Sequence, residues 1–254
     1  MLHNLKRFVT GTVGLVLPSR LAVVALRCLG HCIASDARIG LSLLLVERLV
    51  LRPGARVGHG NLVRVRRLVL DHGAQIGRGN LLNGPMSILL KSQAEIGNRN
   101  KVLRGPMPTV TYGPATFKLG KNSKITADHR IDCTQSVVLG CDSILAGSGS
   151  QLWTHGYVHE PQGGSRYRVD GAIVIGNSVY IGSASIVTTG VRIADDVIVG
   201  AGTTVARSLD EPGMYVSAAM RRVDRPIDPA TRSDLARIVA PSLCEPVYVK
   251  LNDR

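Results

Sequence analysis

Aromatic residues are scarce in this chain of 254 residues: they make up 4% of it, with two Phe and a single Trp. A core of this size must then be filled mainly by Ile, Val, Leu and Ala, which excludes a haem or flavin pocket walled by aromatic rings. Charged residues are also few, at 19%, while the apolar fraction of 44% excludes a disordered chain. Glycine, with 28 residues, exceeds its average share of about 7%. The composition favours thin β-layers joined by tight turns over a helical bundle.

Cysteine offers neither a disulfide framework nor a zinc site. The five cysteines are odd in number and include no Cys-x-x-Cys pair. We therefore expect reduced thiols, as in a cytoplasmic protein, and no bound metal.

Acidic residues are few relative to basic ones: 18 Asp and Glu stand against 31 Lys and Arg, a net charge of +13. Residues 1–72 hold eleven basic and three acidic residues, so +8 of the excess lies there. Such chains bind nucleic acid, anionic membranes or phosphorylated substrates. We expect no nucleic-acid partner, because neither zinc-finger spacing nor an RNA-binding aromatic platform is present.

The N-terminal segment, residues 1–32, has an uncharged stretch over residues 8–17 that is too short to span a bilayer. No small-x-small cleavage site follows it, so we do not interpret it as a signal peptide. Residues 20–30 are predicted to form a helix that is apolar except for a stripe marked by Arg20 and Arg27. Two interpretations stay open: a helix lying in a membrane interface at the inner face of the membrane, or a cap on the next element.

A six-residue repeat dominates the rest of the chain. From Ile175 to Asp210 six units follow without a gap, each beginning with a branched aliphatic residue: Ile175, Ile181, Val187, Ile193, Val199 and Val205. The pattern appears upstream with breaks, in pairs from Ile33 and Ile39 to Leu139 and Leu145. Each unit is read as a short strand and a turn, and three units close a triangular coil with the aliphatic residues inside. Residues 33–206 then make eight or nine coils, and residues 207–254 form an irregular C-terminal tail.

This repeat resembles the left-handed β-helix of the hexapeptide-repeat acyltransferases, sugar and xenobiotic acetyltransferase branch. The resemblance covers residues 33–222 and is most specific over 139–222, with Thr154-His155-Gly156, a gap, Ala172–Gly182 and Val199-Gly-Ala-Gly-Thr-Thr-Val-Ala. The chain departs from the family at Tyr180, where Trp is usual, and at Ser217–Met220, where Gly-Asn-Pro-Ala is usual. The fold expected is an all-β, left-handed parallel β-helix solenoid with a short N-terminal helical segment.

His155 is the candidate catalytic base. It precedes a stretch, residues 156–171, that breaks the repeat and is predicted to be a loop, and such breaks usually serve function. Histidine is neutral near pH 7 and can take a proton from a hydroxyl or an amine. The resemblance implies the same role for it.

Four further residues are candidates to bind the acceptor or orient His155. His159 lies in the same loop, and Glu160 or Asp170 can orient the His155 ring, although a salt bridge with Arg166 or Arg168 is the alternative for either carboxylate. His129 is a candidate acceptor contact, although its offset of 26 from His155 is not a multiple of 18.

The resemblance also implies an acyl donor, acetyl-coenzyme A, lying between neighbouring subunits of a homotrimer. Its contacts map onto small residues of two coils and onto two arginines that can pair with phosphate: Gly182, Ser183, Ala184, Ala201, Gly202, Thr203, Arg221 and Arg222. The acceptor expected is a sugar or lipid-linked sugar in surface polysaccharide or glycolipid biosynthesis.

Two other functions stay open on the same fold. A zinc enzyme resembling gamma-type carbonic anhydrase needs three converging histidines, which His129, His155 and His159 can supply. A non-catalytic protein of the membrane surface needs only the basic N-terminal half.

Overall fold

The computed structural model describes residues 2–159, 164–217, 232–240 and 246–251, with side chains from Leu5 onward. The helices are α1 (Leu2–Val16) and α2 (Ser19–Cys28). The strands are β1 (Cys32–Ile33), β2 (Arg38–Ile39), β3 (Leu43–Leu44), β4 (Arg48–Leu51), β5 (Arg56–Val57), β6 (Leu62–Arg64), β7 (Arg67–Leu70), β8 (Gln75–Ile76), β9 (Leu81–Asn83), β10 (Ser87–Leu90), β11 (Glu95–Asn98), β12 (Lys101–Leu103), β13 (Thr116–Leu119), β14 (Lys124–Ala127), β15 (Arg130–Asp132), β16 (Val137–Leu139), β17 (Ile144–Leu145), β18 (Gln151–Leu152), β19 (His155–His159), β20 (Arg166–Asp170), β21 (Ile173–Ile175), β22 (Tyr180–Ile181), β23 (Ile186–Val187), β24 (Arg192–Ile193), β25 (Val197–Val199), β26 (Thr204–Val205), β27 (Gly213–Tyr215), β28 (Leu235–Ile238) and β29 (Val247–Lys250).

Three parallel sheets form the walls of a solenoid. Sheet 1 has the order β1-β4-β7-β10-β13-β16-β21-β24, and sheet 2 runs β2-β5-β8-β11-β14-β17-β22-β25-β27. Sheet 3 runs β3-β6-β9-β12-β15-β18-β23-β26. Successive strands of the chain therefore pass from sheet 1 to sheet 2 to sheet 3, and then begin the next coil. The predicted all-β parallel β-helix is confirmed, with eight coils in sheets 1 and 3.

The repeat predicted which aliphatic residues face the interior. Ile175, Ile181 and Val187, in three sheets of one coil, are each 2% exposed or less. They pair in register with Ile193, Val199 and Val205 of the following coil. Burying one such side chain contributes about 1.5–3 kcal/mol, and the stack continues through the length of the solenoid. Branched aliphatic side chains fill most of it, and Phe117 is a fully buried aromatic member of the same core.

A column of buried polar residues, the polar ladder, runs along the corner between sheets 2 and 3. Each member precedes a strand of sheet 3: Ser42, Asn61, Asn80, Asn100, His129, Ser150, Ser185 and Thr203. From Asn61 to Ser185, the amide of each rung donates to the side chain of the rung before it, as Asn80 N–H does to Asn61 Oδ1 at 2.9 Å and Asn100 N–H to Asn80 Oδ1 at 2.8 Å. The ladder satisfies backbone donors that would otherwise be buried without partners.

His129 is a rung of this ladder, which corrects its assignment as an acceptor-binding residue. Its Nδ1 accepts the amide of Ser150 at 3.2 Å, and its Nε2 lies 3.0 Å from Thr126 Oγ1. The residue is 1% exposed, and burial lowers the pKa of its ring. Both nitrogens are engaged, so neither is free to touch a substrate or to ligate a metal.

Helix α2 packs over the open end of the first coil. Ala22, Val23 and Leu26 are buried, and the latter two join the solenoid's core. This covers the aliphatic stack where it would otherwise meet water. Neither of the two helices is long and apolar enough to cross a membrane, within the residues described.

Helix α1 lies against the first coil at a distance that requires glycine. A Cβ on Gly14 would stand 2.8 Å from the carbonyl oxygen of Ser42, and one on Gly11 would stand 2.6 Å from Leu45 Cδ2. Thr10 Oγ1 lies 2.9 Å from Nε2 of His31, whose Nδ1 accepts the amide of Leu49. Burial lowers the pKa of His31 to about 4. A neutral His31 therefore pins α1 to the solenoid.

Two segments predicted to be irregular contain strands. Within residues 156–171, β19 and β20 pair as an antiparallel hairpin, with His155 opposite Asp170. In the C-terminal segment, β27 extends sheet 2 beside β25, and β29 pairs with β20 and β28. Buried Tyr167, Val169, Leu235 and Tyr248 form a small second core there. The six-residue period carries no signal for this four-stranded sheet, because its strands leave the solenoid.

Replacing His129 tests the ladder. His129→Ala removes the acceptor for the Ser150 amide, and we expect it to lower the free energy of unfolding by about 1–3 kcal/mol. His129→Asn, which restores the side chain used at three other rungs, should recover most of the loss. Urea unfolding followed by circular dichroism measures both. Equal stability of His129→Ala and the wild type would contradict the structural role.

Candidate active site

Two corners of the triangular coil carry the candidate residues. The 2–3 corner joins sheets 2 and 3 and has the polar ladder on its inner side. The 3–1 corner joins sheet 3 to sheet 1 of the next coil and carries two long excursions, residues 104–115 and 153–172. A regular solenoid needs only two to four residues at this corner, so the excursions add surface at one place.

His155 and Asp132 meet at the 3–1 corner. Asp132 ends β15, and His155 begins β19, just beyond the next strand of sheet 3. Parallel pairing of Ile131 with Leu152 brings the two chain segments together. The result is a bond of 2.9 Å between His155 Nδ1 and Asp132 Oδ2. The side chain of Asp132 is only 11% exposed, and that of His155 is 26% exposed.

Asp132 is held as an ionised carboxylate by donors on both sides. The Thr154 hydroxyl donates to its Oδ2 at 2.6 Å, and the Thr134 hydroxyl to its Oδ1 at 3.0 Å. Burial raises the pKa of Asp132, but the hydrogen bonds from His155, Thr154 and Thr134 outweigh burial and leave its pKa below the ordinary value. The carboxylate is therefore fixed in position and charged.

His155 has the arrangement of an oriented general base. Its hydrogen bond to Asp132 raises the pKa of His155, and burial opposes this only in part. With Nδ1–H donating to a carboxylate, the neutral ring presents Nε2 as the proton acceptor. No hydrogen bond to Nε2 is made by any residue that the structure describes. The ring can thus take a proton from a bound group, and Asp132 stabilises the imidazolium that forms.

Two aromatic rings flank His155. Trp153 and Tyr157 stand edge-on to it, with centroids 6.1 and 5.9 Å away. Arg130 lies over the ring of Trp153, and Arg166 over the ring of Tyr157. His155 is therefore flanked by two aromatic rings, and each ring has an arginine over it. The rings can pack against the C–H groups of a ring-shaped ligand, and the arginines can bind an anionic group.

Asp170 does not orient His155, which corrects one of the two candidates for that role. Its carboxylate binds Arg168, with Nε to Oδ1 at 2.8 Å and Nη2 to Oδ2 at 3.1 Å. Both side chains are buried, Asp170 at 0% exposed. This is the salt bridge that the sequence left as the alternative. The other candidate, Glu160, lies outside the described residues.

His159 lies at the far end of β19, exposed and opposite Arg166 in the hairpin. Three residues of extended strand separate it from His155, so it does not share the ring's immediate surroundings. Across the described ranges, no three His, Cys, Asp or Glu side chains stand close enough to hold a metal ion. Because both nitrogens of His129 are engaged in the ladder, the three-histidine zinc interpretation loses a ligand.

The excursion 104–115 adds a hydroxyl beside the hairpin. Arg104, which is buried, donates to the carbonyls of Pro85, Tyr112 and Gly113 and so fixes the excursion. The Tyr112 hydroxyl is buried and has no hydrogen-bond partner among the residues described. Burial raises the pKa of Tyr112 to about 12. The hydroxyl therefore stays protonated.

The proposed donor residues occupy the 2–3 corner of the last two coils. Gly182, Ser183 and Ala184 lie directly beside Ala201, Gly202 and Thr203, as the pairing of β22 with β25 and β23 with β26 requires. A Cβ on Gly182 would stand 2.5 Å from the amide nitrogen of Ala201, so this glycine is required for coil stacking. A Cβ on Gly202 would meet nothing within 4 Å, so that position is open to a ligand.

The 2–3 corner of the last two coils, which we call the small-residue corner, lies on a different edge of the solenoid from His155 at the 3–1 corner. Sheet 3 separates the two edges, and its strands β23 and β26 run from one to the other. Arg221 and Arg222 lie outside the described residues. Among the residues described, one chain therefore does not bring the small residues of the proposed donor site and the candidate base together on one edge.

Asp132, Thr134, Thr154 and Tyr112 are site residues that the sequence analysis did not single out. The signal for Asp132 was present: Ile131 is an interior position one coil before Leu152, so the next residue stacks beneath Trp153. Because the six-residue repeat is broken between Asp132 and His155, their spacing of 23 residues did not indicate that the two side chains meet.

No protein-family model and no curated protein sequence matches the chain. Among solved structures, the polysialic acid O-acetyltransferase OatWY is 16% identical, with 74% of this chain and 80% of that one covered and a TM-score of 0.46. The polySia-specific acetyltransferase NeuO is 16% identical over 71% and 94%, with a TM-score of 0.38. AntD, an N-acyltransferase from Bacillus cereus in complex with dTDP and coenzyme A, is 14% identical over 66% and 82%, with a TM-score of 0.26.

The Asp132–His155 bond predicts the titration of the ring. We expect His155 to titrate above its ordinary pKa of 6.5 in the wild type and at lower pH in Asp132→Asn, because the neutral amide no longer favours the imidazolium. Thr134→Ala, which keeps the carboxylate and removes a hydroxyl that lies 3.0 Å from Asp132 Oδ1 and 3.2 Å from His155 Nδ1, should produce a smaller change. NMR of the histidine ring protons measures all three. An unchanged pKa in Asp132→Asn would contradict the observed pairing.

Proposed function

We propose that the protein is an acyltransferase that moves an acetyl or similar acyl group from coenzyme A to a hydroxyl or amine of a sugar. The observation that carries the proposal is the buried Asp132 carboxylate bound to Nδ1 of a partly exposed His155. Such a pair removes a proton from a weak nucleophile near neutral pH. The sequence motifs around His155 resemble acyltransferases of this fold, and the three solved structures named above are acetyl- or acyltransferases.

In the proposed reaction His155 acts first as a base and then as an acid. Nε2 takes the proton of the acceptor hydroxyl as the oxygen forms a bond to the thioester carbonyl carbon. Asp132 stabilises the resulting imidazolium across the bond to Nδ1. When the carbon–sulfur bond breaks, His155 returns the proton to the thiolate of coenzyme A. Protons and charges balance without a covalent enzyme intermediate.

We place the acyl donor along the exposed 2–3 corner, at Ser183, Ala184, Ala201 and Gly202. Small side chains let a ligand approach the backbone there. Because His155 stands on the other edge of sheet 3, we propose a cyclic homotrimer in which the base of one subunit faces the small-residue corner of its neighbour.

For the acceptor we propose a sugar hydroxyl or amine, with the aromatic rings of Trp153 and Tyr157 as one wall of its site. Two of the solved structures named above are polysialic acid acetyltransferases, which is compatible with a saccharide acceptor. Whether oxygen or nitrogen accepts the acyl group follows from the acceptor rather than from the base, because His155 can deprotonate either.

Loss of the His155 ring tests the catalytic role. We expect His155→Ala to lower turnover by about 10²-fold or more, the usual scale for a general base, while circular dichroism and coenzyme A binding stay as in the wild type. The assay is transfer from acetyl-coenzyme A to a panel of nucleotide sugars, lipid-linked sugars and free polysaccharide. His159→Ala, in the same hairpin, is the matched control and should retain activity. Activity of His155→Ala within a few fold of the wild type would reject the base.

Mixed assemblies test the shared site. Ala201→Trp fills the exposed small-residue corner, and His155→Ala removes the base, so each variant alone should be inactive. In a cyclic trimer refolded from equal amounts, every mixed trimer rebuilds one complete site, and about a quarter of wild-type activity should return. No recovery, with mixed trimers verified by mass spectrometry, would show that the site does not lie between subunits.

We propose further that the N-terminal helices contact an anionic membrane. Leu5, Phe8, Leu21 and Val24, on the two N-terminal helices, are each 58% exposed or more. Arg20 and Arg27 are exposed beside them on α2. Apolar side chains flanked by arginines suit an interface, where each basic residue near an anionic surface contributes about 1 kcal/mol.

Vesicle co-sedimentation tests this contact. We expect binding to vesicles of anionic lipid that weakens with salt and is lost when Leu5, Phe8, Leu21 and Val24 are all replaced by Ser. The matched control replaces Met214 and Val216, exposed apolar residues at the other end of the solenoid, and should bind as the wild type does. Equal binding of all three proteins would contradict a role for these helices.

A further inference from the structure

A cleft at the N-terminal end of the 3–1 corner is used neither by the proposed reaction nor by the proposed donor site. It has a volume of about 590 Å³ and is lined by Arg7, Arg64 and Arg66 together with Phe8, Leu45 and Met107. We call it the arginine cleft. Its size lies within the range of about 300–1,000 Å³ that small-molecule sites occupy.

The arginine cleft carries an excess of positive charge. Its only acidic lining residue, Glu47, is paired with Arg7 at 3.4 Å. Arg64 and Arg66 are exposed, and no carboxylate among the residues described lies within salt-bridge distance of either. Three guanidinium groups and one carboxylate leave a charge of +2, which matches a phosphate group better than a single carboxylate. Guanidinium groups also match the geometry of phosphate oxygens.

The opposite wall of the cleft is apolar. Phe8 comes from α1, Leu45 from the corner of the first coil, and Met107 from the excursion 104–115. Phe8 is 67% exposed and also belongs to the apolar side of the N-terminal helices. A phosphate alone would leave this wall uncovered, whereas a phosphate attached to an apolar chain would cover it.

The cleft lies in line with the catalytic pair. Arg64, Asn83, Leu103 and Asp132 occupy the same register position in four consecutive strands of sheet 3. Three strand spacings of about 4.8 Å separate Arg64 from Asp132, or about 14 Å. The excursion 104–115 spans this interval, since Met107 lines the cleft and Tyr112 lies near the hairpin. A saccharide attached to a phosphate held at the cleft would have to span about 14 Å along the corner to reach the Asp132–His155 pair.

We propose that the arginine cleft binds the phosphate of an amphiphilic acceptor, whose attached saccharide reaches His155 along the 3–1 corner. The role of the bound molecule as acceptor rests on the proposed function, whereas phosphate binding at the cleft does not. The phosphates of the acyl donor are a separate group, because the proposed donor corner lies in the last two coils and the cleft in the first four.

Isothermal titration of the full chain with inorganic pyrophosphate and with octyl phosphate below its micellar concentration tests the proposal. The variant Arg64→Ala/Arg66→Ala should weaken binding of both probes by about tenfold or more, because it removes two of the three guanidinium groups that line the cleft. The matched control, Arg48→Ala/Arg67→Ala, removes two arginines that pair on neighbouring strands of sheet 1 outside the cleft and should bind as the wild type does. Equal weakening in both double variants, or no saturable binding in the wild type, would overturn the proposal.

Two further titrations separate the sources of the phosphate. Phe8→Ser should weaken octyl phosphate and leave pyrophosphate unchanged; an equal affinity of Phe8→Ser and the wild type for octyl phosphate would overturn the amphiphile. Saturation with coenzyme A should leave both probes bound, and displacement would assign the cleft to the donor instead. His155→Ala should bind both probes as the wild type does, so the result stands apart from any failure of the proposed acyl transfer.

Discussion

Hydrogen bonding between successive coils is the constraint from which the rest of the structure follows. It places residues about twenty positions apart in the sequence on neighbouring strands, about 4.8 Å from each other. That register determines which side chains stack in the aliphatic columns, in the polar ladder and in the site at the 3–1 corner. Ile131 beneath Leu152 is a core contact, and the adjacent register position brings Asp132 to His155. A change that shifted one coil by a residue would exchange interior and exterior side chains and separate the pair.

The two polar clusters built on this register behave differently. In the ladder, backbone amides and side chains satisfy one another completely around His129, and burial lowers the pKa of its ring. At the 3–1 corner, an ionised Asp132 raises the pKa of His155, and the ring keeps access to solvent. Two histidines in neighbouring coils thus have opposite shifts in pKa, because burial dominates at His129 and the hydrogen bond to the Asp132 carboxylate dominates at His155.

The sequence was sufficient to predict the solenoid, because the six-residue period reports directly on which side chains face inward. Ile175, Ile181 and Val187 were placed correctly from that period alone. His155 was singled out from its motif and from the break that follows it. Asp132 was not, because its partner is 23 residues away and the repeat is interrupted between β14 and β16. The four-stranded sheet built on β20 and β29 was also missed, since antiparallel strands outside the solenoid follow no six-residue period.

The position of Tyr112 and of the arginine cleft could not be predicted for a related reason. Both depend on the excursion 104–115, whose course is fixed by three carbonyls that bind Arg104. A buried arginine that organises a loop leaves no periodic trace in the sequence. The excursion lies between the basic N-terminal coils, where eleven basic residues lie within residues 1–72, and the Asp132–His155 pair.

The pH dependence of kcat/KM for wild type and Asp132→Asn tests the central claim most directly. If Nε2 of His155 is the base, activity rises with pH through the raised pKa of this ring and then levels off, because only the neutral ring accepts a proton. In Asp132→Asn the same limb should move to lower pH while the plateau falls, since the imidazolium has lost its carboxylate. A limb that stays at the same pH in both proteins would show that another group limits the reaction and would contradict the account.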